Sequence, residues 1–133
     1  MQEVFDQSFA HIDFTKEPLP KAEYEACRFT NCDFSHADLS GLKFIDCSFV
    51  ASNLSLARIS KTVFQTVTFN ECKLLGLPFD QCSPFGLNLQ FENCILSHTS
   101  FFGTRLKGTT FRSSQLQEGD FTDADLSGAS FAG

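Results

Sequence analysis

The sequence predicts an all-β solenoid in which the chain turns a corner every five residues. Three observations predict it. A large apolar residue recurs at every fifth position, as in Phe29, Phe34, Leu39, Phe44 and Phe49. A small or apolar residue stands two positions before each: Cys27, Cys32, Ala37, Leu42 and Cys47. The residues between are polar, rich in Ser, Thr, Asn, Asp and Gly, the natural residues of corners. An α-helix turns about 100° per residue, so positions five apart point about 140° apart. A strand puts positions five apart on opposite faces. Neither buries one residue in five on a single side. A chain that turns a corner every five residues does. With the large residue at position i, residues i−2 and i point inward, i−1 points outward, and i+1 and i+2 make the corner. Such coils bury their interiors only by stacking.

Two segments, A-D-L-S-G at 37–41 and at 124–128, together with C-D-F-S-H and G-D-F-T-D, resemble the motif of the pentapeptide repeat family, approximately A-(D/N)-L-x-x. The resemblance extends over nearly the whole chain. It implies a right-handed quadrilateral parallel β-helix with four pentapeptides per coil, and so about six coils in one domain of 133 residues.

Taken in order, residues 1–23 are the weakest repeats. Val4, Phe9, Phe14 and Leu19 keep the spacing, but their i−2 partners, Gln2, Gln7, Ile12 and Glu17, are poorer. Pro18 and Pro20 each remove a backbone donor. An irregular N-terminal cap is expected over 1–23, with a distorted coil or a short helical turn around Lys21–Ala26. Within 24–79 the first register runs unbroken from Tyr24 to Phe79, and no charged residue falls at i or i−2. The segment 80–90 is a register slip. The next secure i residue, Phe91, lies twelve positions after Phe79, and Pro84 and Gly86 punctuate the gap. This predicts a two-residue bulge near 83–88, with one inward slot filled by Phe85 or Leu87. Within 91–133 a second register runs from Phe91 to Phe131.

If a coil is four pentapeptides, residues twenty apart stack, or twenty-two apart across the bulge. The predicted columns are Phe29–Phe49–Phe69–Phe91–Phe111–Phe131, Phe34–Leu54–Leu74–Leu96–Leu116 and Leu39–Ile59–Phe79–Phe101–Phe121. Their consistent chemistry supports both the coil length and the single slip. The pattern is still running at Gly133, so either more repeats follow or the C-terminal coil meets a second copy, giving a homodimer.

Chemistry is sparse. All six Cys occupy i−2, and their spacing lacks a C-x2-C pair or nearby His, which argues against zinc. They read as small core residues of a reduced compartment. Cys72 and Cys94 should be stacked neighbours, a pair able to oxidise. His11, His36 and His98 are scattered outward residues, and no nucleophile–base arrangement or phosphate loop is present. No catalytic residue, metal or cofactor is expected. The net charge of −6 disfavours direct binding to nucleic acid or an anionic membrane. The N-terminus lacks the features of a signal peptide, and no apolar run approaches a membrane span, so a cytoplasmic protein is expected.

The expected function is non-catalytic protein interaction or scaffolding. Candidate contact residues are Glu118, Asp120, Asp123 and Asp125, with the outward Phe102, which is expected to pack beside Phe85 or contact a partner. The resemblance implies an alternative. Some pentapeptide repeat proteins are DNA mimics that bind DNA gyrase and protect it from quinolones. Against it, basic residues such as Arg58, Lys73 and Arg105 interrupt the negative surface, and the long projecting loops of the better-known quinolone-resistance members are missing.

Overall fold

A computed structural model describes residues 2–133. The chain is an all-β parallel solenoid whose coils repeat every twenty residues, and every twenty-two across the bulge. Each coil has four faces. Face 1 carries strands β1 (Gln2–Phe5), β3 (Ala22–Glu25), β5 (Lys43–Ile45) and β7 (Val63–Gln65), paired in that order. Face 2 is a six-stranded sheet of β2 (Ser8–Ala10), β4 (Arg28–Thr30), β6 (Ser48–Val50), β8 (Val67–Asn70), β9 (Leu89–Glu92) and β10 (Phe111–Arg112). Faces 3 and 4 are joined by single bridges, such as Asp33 to Asn53 and Ser100 to Asp120.

The predicted columns form the core. Phe29, Phe49, Phe69, Phe91, Phe111 and Phe131 stack with ring centroids 4.8, 5.1, 5.5, 5.2 and 5.0 Å apart. The column begins one level earlier than expected, because Phe9 stacks on Phe29 at 5.0 Å. Neighbouring columns meet edge to face, as at Phe44–Phe49, 5.3 Å. Both arrangements suit the ring quadrupole. Phe34, Leu54, Leu74 and Leu96 are fully buried, and Leu116 is partly buried against them.

The corners have a common cause. With few exceptions, notably Lys16, Lys21 and Gln81, residue i+2 adopts a left-handed conformation. Glycine does so at Gly41 and Gly103, but Leu56 (φ 59) and Thr66 (φ 55) do so too. The corner geometry therefore overrides local preference. On faces 3 and 4 the corner also carries a backbone bond from i+3 to i, as Ala37 N–H to Phe34 O at 2.9 Å. The strand corners of faces 1 and 2 lack it, leaving the carbonyl of i free for another donor.

The N-terminal segment differs from expectation. Residues 2–13 form three regular faces, and Gln2, Phe9 and Asp13 pair with Ala22, Phe29 and Asp33. Irregular backbone narrows to 14–21, where the two prolines lie. No helical turn forms around Lys21–Ala26, because Ala22 and Tyr24 enter β3 and are buried. The Tyr24 hydroxyl donates to Pro20 O at 2.5 Å, tying the irregular stretch down. Met1, the first residue of the expected cap, lies outside the described residues.

At the register slip, a single 3-10 turn, Phe79–Gln81, precedes an extra loop on face 1. Leu87 packs against the core and Phe85 is 75% exposed, which resolves the two candidates for the inward slot.

Candidate interaction surface

Among the described residues, buried Phe, Leu, Ile and Val side chains fill the interior, with i−2 residues between them. The six cysteines are all free and buried, and five of them sit where a donor is needed; Cys82 instead shares Phe79 O with its own backbone N–H. Cys47 Sγ–H donates to Tyr24 O at 3.2 Å, and Cys72 does so to Phe49 O at 3.2 Å. These carbonyls belong to strand corners. Ser52 fills the same role, donating to Phe29 O at 3.4 Å. Burial pushes the Cys47 and Cys82 thiols up to about 12. The hydrogen-bonded Cys94 thiol, and then burial, push Cys72 well above the ordinary thiol range. Among the described residues no group of His, Cys, Asp and Glu is arranged to hold a metal.

The four acidic candidates do not share one face. Glu118 stands at the corner between faces 3 and 4, and Asp120 lies on face 4. Asp123 stands at the corner between faces 4 and 1, and Asp125 lies on face 1. All four are exposed. Two have local roles. Asp120 Oδ1 accepts the Thr122 N–H at 2.9 Å, and Asp125 Oδ1 accepts the Ser127 N–H at 3.0 Å and hydroxyl at 2.6 Å. These side-chain and backbone hydrogen bonds hold both carboxyls below the usual range. Asp33 with Ser35, Asp38 with Ser40 and Asn53 with Ser55 repeat the device. The motif Asp-x-Ser/Thr is thus partly a backbone clamp at the corner.

Phe102 is half exposed and borders a shallow depression with Pro84, Leu87 and Arg105. Phe85 borders a different one, with Lys43, Ile45, Val63 and Gln65, so the two aromatics do not share a depression. Sequence reasoning missed Ile45 and Val63. They become neighbours only through twenty-residue stacking. It also missed a groove of about 550 Å³ along the corner of faces 2 and 3, lined by His11, Asp13, Asn31, Asp33, Asn53, Glu71 and Lys73.

Charge is zoned along the axis. Residues 2–50 carry nine acidic and four basic side chains, and residues 113–133 carry four acidic and none basic. Between them, 51–112 carry six basic residues (Arg58, Lys61, Lys73, Arg105, Lys107, Arg112) and three acidic ones. Among the described residues two ion pairs form between coils, Arg28–Asp6 at 3.2 Å and Arg58–Asp38 at 3.9 Å. No helix among the described residues is long and apolar enough to cross a membrane.

A filled rod with corner-clamping Asp residues and a variable exterior is the architecture of a repeat protein. The chain belongs to the pentapeptide repeat family: the family model described as a pentapeptide repeat region matches residues 22–84 and 62–133. It is 28% identical over 109 residues to the quinolone resistance pentapeptide repeat protein QnrB96 of Scandinavium goeteborgense, across 81% of this chain and 50% of that one. It is 29% identical over 116 residues to the pentapeptide repeat protein MfpA of Mycobacterium tuberculosis, across 81% and 58%. The chain thus spans little more than half the length of these relatives. Full-length QnrB1, a plasmid-mediated fluoroquinolone resistance protein, has a solved structure that matches with a TM-score of 0.50 at 18% identity, over 96% of this chain and 92% of that one. That likeness concerns the fold.

Proposed function

We propose that this protein is a non-catalytic, cytoplasmic protein-binding rod that engages its partner through outward side chains. The observation that carries this reading is the division of labour along the chain. Positions i and i−2 are consumed by the core, and what varies from coil to coil is the exterior. In this reading Glu118, Asp120, Asp123, Asp125 and Phe102 belong to contact surfaces, and nucleic acid and membrane are not direct partners. The C-terminal coil, where Phe131 is half exposed, is where a second copy would dock. Affinity capture from cell extract tests the proposal. Saturable capture of a discrete protein is expected, weakened in a Glu118→Lys, Asp123→Lys variant, which leaves the corner clamps of Asp120 and Asp125 intact and melts with the wild type. Absence of saturable capture would overturn it.

A second reading is gyrase binding by DNA mimicry. Its support is the similarity to a quinolone resistance pentapeptide repeat protein. The zoned charge weighs against it, because a DNA-like surface calls for continuous negative stripes and the basic belt of 51–112 interrupts them.

A further inference from the structure

The extra loop on face 1 carries an inference about the rod itself, independent of what binds to it. We propose that the register slip is a two-position element: the inward slot above Phe64 is filled either by Leu87, as seen, or by Phe85, with the loop turned over between the two states. Ser83 N–H donates to Thr62 O at 2.8 Å, as Val63 N–H does to Leu42 O one coil earlier, and Leu89 pairs with Val67. Five residues, 84–88, therefore follow the course that three, 64–66, take in the coil before. Phe85 and Leu87 stand two positions apart, so extended chain points both to the same side. In a regular coil the slot residue lies two positions after one inward neighbour and three before the next, as Phe64 lies between Thr62 and Val67. Leu87 lies five after Cys82 and two before Leu89, whereas Phe85 would lie three after and four before. Seating Phe85 spreads the two extra residues over both sides of the slot, while seating Leu87 crowds one side and shortens the other.

The slot is also under-filled. From Tyr24 to Phe111 every other residue at position i is buried, but Leu87 is only partly so. Beside it a crevice of about 230 Å³ runs down to Phe79, Cys82 and Thr104, three buried residues. That space takes the extra bulk of a phenyl ring. The column below is aromatic, with Tyr24, Phe44 and Phe64 stacked at 5.7 and 5.9 Å. A ring from Phe85 would extend the stack and leave water, where it is now 75% exposed. Little holds the present turn. Between the anchors at Ser83 and Asn88, Phe85 N–H donates to Ser83 Oγ at 3.2 Å and Leu87 N–H to Pro84 O at 3.4 Å, both long. Gly86, left-handed at φ 62, is the natural pivot, since glycine adopts either hand without steric cost. The outside of face 1 then has two forms, one displaying Phe85 next to Ile45 and Val63 and one withdrawing it.

The chain has no Trp, so a Phe85→Trp variant reports the ring's position by its fluorescence. With Leu87 in place the indole should emit as an exposed group and be quenched by iodide. Adding Leu87→Ala empties the slot, and a blue-shifted emission with a loss of quenching is expected. Emission and quenching unchanged by Leu87→Ala overturn the proposal. Urea unfolding gives a second readout without the indole. Leu87→Ala alone should lower the midpoint slightly, because Phe85 takes over the slot, and should lower it much further in a Phe85→Ala background. Equal losses in the two backgrounds overturn the proposal. So does a Leu87→Ala chain that fails to fold while Phe85 is present to replace the lost side chain.

Discussion

At the scale of the residue, the i−2 position explains five of the six cysteines. A strand corner leaves the carbonyl of residue i without the i+3 donor that other corners supply, and a thiol or hydroxyl from the next coil takes its place. Cys47→Ala should cost about 1–2 kcal/mol in urea unfolding, by orphaning the Tyr24 carbonyl, while Cys47→Ser costs less. A pH dependence follows. The Cys47 and Cys82 thiols are raised to about 12, against ordinary values near 9 once unfolded. The unfolded chain then holds fewer protons above that lower value, so stability is full below about pH 9 and declines as pH rises toward 12. A melting series should show that decline, and the Cys47→Ser, Cys82→Ser double variant should make it shallower, with the raised Cys32, Cys72 and Tyr24 supplying the rest. This role was not legible in the sequence. Spacing shows that a side chain is inward, but it does not show which carbonyl lacks a donor.

At the scale of the element, the unit is the column of stacked rings. Phe69 lies 5.1 Å from Phe49 and 5.5 Å from Phe91, fully enclosed. Phe69→Ala should cost about 3–5 kcal/mol in denaturant unfolding, and an unchanged midpoint would contradict the column. The corners hold the opposite lever. Thr66 is exposed and β-branched, yet left-handed at φ 55. Thr66→Asn should stabilise by roughly 1 kcal/mol, read as a raised melting temperature, because Asn tolerates that conformation better. Columns were legible because buried groups must recur at the coil length, and the slip at Pro84 and Gly86 shifted each column by the same two residues. The first coil was harder to recognise. Gln2 and Gln7 look wrong for an interior, but both are exposed, and Gln7 Nε2 donates to Phe5 O at 3.3 Å.

At the scale of the whole molecule, the rod's core is uniform and its surface is not. The acidic cluster of the last coil could be read from Glu118 to Asp125 as a run of residues. Its distribution over two corners and two faces emerged only once the chain was wound. The patch of Ile45, Val63 and Phe85 was hidden for the same reason, since its members are eighteen and twenty-two positions apart. The central claim is that the exterior binds a protein partner without imitating DNA. The most direct measurement is gyrase supercoiling titrated with this protein, with and without a quinolone. The account predicts no inhibition of supercoiling and no relief of the quinolone block at large molar excess. Inhibition or relief that disappears in the Glu118→Lys, Asp123→Lys variant, whose corner clamps are intact, would contradict it and establish the mimic.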